Sequence, residues 1–215
     1  MPGAPVRRPI KTRQARWAGA LARAAASMGW TPNAISLLSV AVAVGTAAAL
    51  LAAANAEGGT RALLFVIAAG TVQLRLLCNL LDGLVAVEGG KGTPAGEVFN
   101  DLPDRASDLL ALVPAGYALG VPFGPELGWA AGVLAVLTAY VRVLGGACGL
   151  EQRFTGPMAK PHRMFALTVG LLVAALAVPA GYDVVVLAAT LGVIAVGSLV
   201  TVSRRTRAVL GALGS

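Results

Sequence analysis

Cysteine and histidine are nearly absent from this chain, which has only Cys78, Cys148 and His162 in 215 residues. With no C-x-x-C pair there is no zinc site or disulfide framework, and both cysteines, within or beside apolar runs, read as small packed hydrophobes. A single histidine and no G-x-S-x-G elbow remove serine-hydrolase chemistry. Charge is scarce too: 13% of residues are charged against 57% apolar. With a mean hydropathy of +0.77, that exceeds what a water-facing domain of this length can bury. A cleavable signal peptide is not expected, because arginines continue to Arg23 and the first apolar run starts late. Gly89-Gly90-Lys91-Gly92-Thr93 has the look of a phosphate loop, but Gly92 breaks its ending and a helix precedes it, leaving an interhelical turn.

Long apolar runs are what the chain does have. They cover 34–54, 62–82, 105–123, 127–149, 164–181 and 184–203, each near the ~20 residues that cross hydrocarbon. None alternates with period two, which excludes a barrel and leaves helices. The expected fold is an all-α polytopic membrane protein with six transmembrane helices and an N-terminal interfacial helix. Residues 1–33 form a basic N-terminal segment, 34–203 the membrane domain and 204–215 a basic tail. Within the first segment, residues 10–29 read as a helix in the headgroup plane, with a disordered basic tail as the alternative. Trp30-Thr31-Pro32-Asn33 marks the turn into the first span.

Arg7, Arg8, Lys11, Arg13, Arg16 and Arg23 precede the first span, and Arg204, Arg205 and Arg207 follow the last. This bias places both termini in the cytoplasm, and with them the loops holding Glu88–Gly96 and Arg153, Lys160 and Arg163; Arg61 stands nearly alone on the other side. The net charge of +7 reflects that asymmetry and attraction to anionic lipid, not a nucleic-acid partner. A bacterial cytoplasmic membrane is the expected location.

Six of the ten acidic residues lie between Asp82 and Asp108, at the seam of two apolar runs where ionisable groups are costly to place. Their spacing is helical. Asn79 and Asp82 are three apart, with Arg75 a turn earlier on the same face; Asn100, Asp104 and Asp108 recur every four residues, with Asp101 three before Asp104. Consecutive helices joined by a short loop pack side by side, so the two stripes can converge. Gathered carboxylates repel unless a cation neutralises them, and oxygen donors favour Mg²⁺ or Mn²⁺. First-turn acids also suit a helix N-terminus, but that explains neither Asp82, near a C-terminus, nor Asp108, deep in an apolar run.

In order and spacing these residues resemble the signature of the CDP-alcohol phosphatidyltransferase family, D-x-x-D-G-x-x-A-R-x8-G-x-x-x-D-x-x-x-D. Asn79, Asp82, Gly83, Ala86, Gly96, Asn100 and Asp104 fall on its positions without insertion or deletion. Trp30-Thr31-Pro32-Asn33 is similar to the T-P-N segment that often precedes the family's first span. Asn replaces the first and third aspartates, and Val87 replaces the arginine after Ala86.

The resemblance implies transfer of a substituted phosphate from a CDP-alcohol such as CDP-diacylglycerol to an acceptor alcohol, releasing CMP. It implies divalent ions, Mg²⁺ or Mn²⁺, on Asn79, Asp82, Asn100 and Asp104, with Asp104 also the base for the acceptor hydroxyl and Asp101 or Asp108 compensating for the lost charges. Gly83 lets substrate approach the backbone closely, or serves helix packing; Ala86 and Gly96 complete the signature. Arg142, Arg153, Lys160 and Arg163, beside His162, are candidates for substrate phosphates. Arg75 belongs with them, or with an ion pair to Asp82. The expected partners are a CDP-linked lipid, an alcohol acceptor and membrane lipids, and the resemblance implies a homodimer; Gly128-x-x-x-Gly132 and Gly145-x-x-x-Gly149 permit close helix contact either within the bundle or between protomers. A catalytically inactive membrane binding or scaffold protein on the same fold is the alternative. A transporter is a weaker third choice, since no inverted repeat or polar midplane path is visible.

Overall fold

The computed structural model describes residues 16–88, 96–152 and 154–214. The start of the basic N-terminal segment, the Gly89–Thr93 turn and Arg153 therefore lie outside the described residues, as do the side chains of Val87, Glu88, Gly96, Glu97, Phe99 and Asn100.

Helix α1, Arg16–Ser27, ends in a glycine-closed turn: the Trp30 N–H donates to Ala25 O at 3.1 Å while Gly29 takes φ 83°, the left-handed conformation that glycine adopts without strain. Thr31 then accepts from the Ala34 N–H at 3.2 Å, and Pro32 opens α2, Pro32–Ala54. A capping hydroxyl followed by proline in the first turn is a strong helix start. The Thr-Pro-Asn segment thus acts as a helix punctuator. α1 buries Ala18 and Ala22 against α3 and exposes Trp17, Leu21 and Met28, the two-sided character expected of a helix lying on lipid.

The remaining elements are α3 (Gly58–Glu88), α4 (Gly96–Tyr117), α5 (Gly124–Ala147), α6 (Lys160–Ala177), a 3₁₀ turn (Val178–Ala180) and α7 (Asp183–Leu213). No strand occurs among the described residues. The six long helices form a ring in which each packs on two neighbours, in the order α2, α4, α5, α7, α6, α3. Leu50, Phe65, Leu112, Leu167, Leu171, Leu187 and Ile194 fill its centre.

Large apolar side chains such as Leu63, Phe165, Leu176 and Val193 face outward, while Arg75, Asp108, Arg163, Ser198 and Thr201 are buried. That inversion suits a solvent of lipid tails, which rewards outward apolar surface and penalises outward charge.

Five of these helices are long and apolar enough to cross a membrane: α2, α3, α5, α6 and α7. The expected count of six is not reached on that measure, because α4 carries Asp101, Asp104, Arg105 and Asp108 within its length. It also starts at Gly96, not near 105: hydropathy registers only the apolar half of a helix whose acidic spacing continues upstream. α7 in turn runs past 203 to Leu213, taking in Arg204, Arg205 and Arg207.

The glycine motifs divide. A methyl group on Gly128 would meet the Val113 carbonyl oxygen at 2.7 Å, so Gly128 holds α5 against α4 inside the bundle. Gly149 is not helical but closes α5 at φ 79°. Gly128 thus serves contact within the bundle, and Gly149 belongs to a turn, not to a helical pair with Gly145.

Candidate active site

The described polar side chains of the seam gather at one end of the ring, where α3, α5 and α7 finish and α2, α4 and α6 begin. Helical spacing on α3 aligns Arg75, Asn79 and Asp82 along one line. Asp82 is buried and its Oδ2 accepts from Ser36 Oγ of α2 at 2.7 Å, while its Oδ1 is buried without a hydrogen-bond partner.

Asp104 of α4 is the hub. Its Oδ1 accepts from the Arg75 guanidinium at 2.9 Å and from the Asn79 amide. On its other oxygen it meets the Lys160 ammonium of α6, with Arg105 3.6 Å away. Arg75 also donates to the Asp104 backbone carbonyl at 3.2 Å. Arg75 therefore answers Asp104, not Asp82. Arg75 and Asn79 reach Asp104, so the α3 and α4 stripes converge, but the two helices are not the side-by-side neighbours expected from their short connection: α2 packs on both and separates them in the ring.

One turn deeper, Asp108 is fully buried and paired with Arg163 at 2.7 Å, while its Oδ1 lies 3.7 Å from Arg75. Arg163 also donates to Met158 O at 3.2 Å. Asp101 points the other way: both its oxygens accept from Arg142 at 2.7 and 2.8 Å. Arg142 donates in addition to Gln152 at 2.6 Å and lies over the Phe154 ring. Of the six oxygen-bearing side chains put forward for a metal, Asn79 and Asp104 are thus in contact, with Asp82 on the next turn of the same α3 face. Asp101 and Asp108 are each held by an arginine, and the Asn100 side chain lies outside the described residues. Gly83 and Ala86 continue α3 beyond Asp82.

Several members of this network were not singled out from sequence. Ser36 sits where a hydroxyl four residues after Pro32 reaches the α3 face, and Arg105 immediately follows Asp104. Arg205, assigned to a basic tail, reaches inward to the Thr138 carbonyl and to Thr155 O at 2.8 Å. Its burial is signalled by Leu187, Leu191, Ile194, Ser198 and Thr201, which trace the same inner face of α7. Arg142 and Arg205 line a cleft between α5 and α7 with Val141, Gly145, Glu151 and Val209.

A hard divalent ion needs several oxygen donors around one point. Among the described residues no three acidic, cysteine or histidine side chains provide that by themselves. The buried, unpartnered Asp82 Oδ1 beside the Asp104–Asn79 contact does fit one such ion, with the Asn79 amide turned to offer its oxygen. A cage built from carboxylates alone does not fit.

Comparison with known proteins places this geometry in a class. No family model matches the chain. Structures of the phosphatidylinositol phosphate synthase of Mycobacterium tuberculosis share its fold: one with CDP-DAG bound has a TM-score of 0.76 at 23% identity, covering 91% of this chain and 94% of that one. Another, in complex with manganese and citrate, has a TM-score of 0.75 at 22% identity, covering 90% and 88%. The chain shares the fold of that synthase.

Two curated relatives, both named phosphatidylinositol phosphate synthase, narrow it further. The Mycobacteroides abscessus protein is 28% identical over 200 residues, 88% of this chain and 81% of the relative. The Corynebacterium glutamicum protein is 28% identical over 180 residues, 81% of this chain and 75% of the relative. These likenesses support the CDP-alcohol phosphatidyltransferase family for this chain.

Proposed function

We propose that the chain is a CDP-alcohol phosphatidyltransferase of phospholipid biosynthesis, moving the phosphatidyl group of CDP-diacylglycerol to an acceptor alcohol and releasing CMP. The observation that carries this is the contact of Asn79 with Asp104, with Asp82 on the next turn of α3 and all three on signature positions, in a fold superposing on a CDP-DAG-bound synthase. The bundle spans the membrane with α4 as a sixth, polar-ended crossing, and its basic end faces the cytoplasm.

Asp82 and Asp104, with the Asn79 and Asn100 side-chain oxygens, are the groups that would hold a divalent ion, Mg²⁺ or Mn²⁺. Such an ion neutralises the diphosphate and eases departure of CMP. In the transfer the acceptor oxygen forms a bond to the phosphatidyl phosphorus, the bond to CMP breaks, and Asp104 takes the hydroxyl proton. Arg75 orients that carboxylate. Gly83 leaves room for the nucleotide against α3.

The names of the relatives make an inositol phosphate the first acceptor to test. Arg142 and Arg205, lining one cleft at this end, supply charge for its phosphate. Binding without turnover is the second reading, favoured by Asn79 and Asn100 standing where the family signature has aspartate.

The deciding experiment incubates purified protein with CDP-diacylglycerol, Mn²⁺ or Mg²⁺ and a panel of alcohols and phosphorylated polyols, and measures CMP. Metal- and acceptor-dependent CMP is expected; none with any acceptor, alongside retained CDP-diacylglycerol binding, establishes the binding reading instead.

A further inference from the structure

The polar cluster around Asp104 already carries more positive than negative charge. Asp104 and Asp108 face Arg75, Arg105, Lys160 and Arg163, four cations against three carboxylates even with Asp82 counted, and the two signature positions occupied by Asn79 and Asn100 add no negative charge. Both carboxylate oxygens of Asp104 are engaged: Oδ1 by Arg75 and Asn79, Oδ2 by Lys160. Asp82 Oδ1 alone is a buried carboxylate oxygen of the signature positions without a partner.

We propose that the Lys160 ammonium and a divalent cation compete for Asp104, so that the ion binds only as the ammonium leaves that carboxylate. The inference rests on the reading above, in which Asp104 is a metal ligand. Lysine suits this role where arginine would not. Its charge is a point on a flexible stem, able to release one oxygen and follow an arriving phosphate, whereas the forked guanidinium of Arg75 is fixed by two bonds to Asp104. Arg163, three residues along α6, is tied to Asp108 and Met158 and does not exchange. Lys160 thus acts as a positioning residue: it keeps Asp104 ionised and oriented before the ion arrives, and its charge becomes available to the substrate's phosphates afterwards.

The test measures Mn²⁺ binding directly, by loss of the free-ion paramagnetic resonance signal on adding detergent-purified full chain, without substrate. Lys160→Met is expected to tighten Mn²⁺ binding by about tenfold or more, the scale of removing one close like charge from a poorly screened site. Lys160→Arg, which keeps the charge in a less mobile form, is expected to leave it no tighter than in the unaltered chain. Asn79→Asp, made with Lys160 intact, should also tighten binding, and it carries the test if Lys160→Met fails to fold.

Mn²⁺ affinity unchanged or weakened in Lys160→Met, or in Asn79→Asp where that variant carries the test, overturns the competition. The outcome is separable from the transferase reading: CMP release with no effect of Lys160 on Mn²⁺ sinks the competition alone. Tightened Mn²⁺ binding in a chain that forms no CMP leaves the competition standing and removes the catalytic assignment.

Discussion

The two ends of the bundle treat buried charge in opposite ways. At the end remote from the signature, Arg61 at the start of α3 donates to Asp183 of α7 at 2.7 Å, to Ala118 O after α4 at 2.9 Å and to Ala53 O of α2, and lies over Phe65. Each of its guanidinium nitrogens is used. At the signature end, Arg75, Asp82, Asp108 and Arg163 all keep buried polar atoms without a hydrogen-bond partner. Folded proteins leave few such atoms unpaired, and they tend to have a reason in function. One arginine closes four elements into a finished joint; the other end keeps a buried Asp82 oxygen without a hydrogen bond and a loose 3.7 Å ion pair between Arg75 and Asp108, at the end where we propose that a polar ligand is handled.

The sharpest break of this contrast is chemical. Asp82→Ala and Asp104→Ala are each expected to abolish metal-dependent CMP formation, a loss of at least ~10²-fold for a positioned base or ligand, while the purified protein stays monodisperse. Normal turnover in either variant removes it from the site.

Next in size is the opposite end. Arg61→Met leaves Asp183 buried and unpaired, with an expected loss of about 3–5 kcal/mol in stability, read as a lowered thermal midpoint in detergent. Turnover at low temperature should persist. Replacing both partners with apolar residues should cost less than either change alone, and equal losses would show that the joint is not an interacting pair.

Ser36→Ala tests the support of Asp82, and a metal ligand deprived of its hydrogen-bonding neighbour typically loses ~10–100-fold in ion affinity. Mn²⁺ titration of the purified variant measures it, and unaltered affinity would show Ser36 to be packing alone. The smallest effect is expected at the α2 cap, where Thr31→Ala should cost ~1 kcal/mol by thermal unfolding and leave Mn²⁺ affinity unchanged.

The class of fold was legible from the apolar runs, and so were the α3 and α4 stripes, because helical spacing is a local property: Asn79 with Asp82, and Asp104 with Asp108, must share faces once the segments are helical. The expected side-by-side packing of α3 on α4 was not met, because α2 packs on both of them. What spacing cannot carry is the partner from a distant helix. Lys160 and Arg163 read as phosphate contacts because nothing near them in the chain is acidic; the bundle brings them to Asp104 and Asp108. Arg61 was counted only as the lone basic residue of its side. Asp183, another isolated charge at an apolar border, was the signal for its partner. α4 was placed too late along the chain because its N-terminal half is polar, and hydropathy is silent about a helix whose polar face turns inward.

Helices α4 and α6 are not neighbours in the ring, yet Asp104–Lys160 and Asp108–Arg163 join them across its interior. These bridges work as cross-ties over the mouth of the barrel of helices. Should the proposed exchange draw off the outer tie, the buried inner one would still hold α4 to α6.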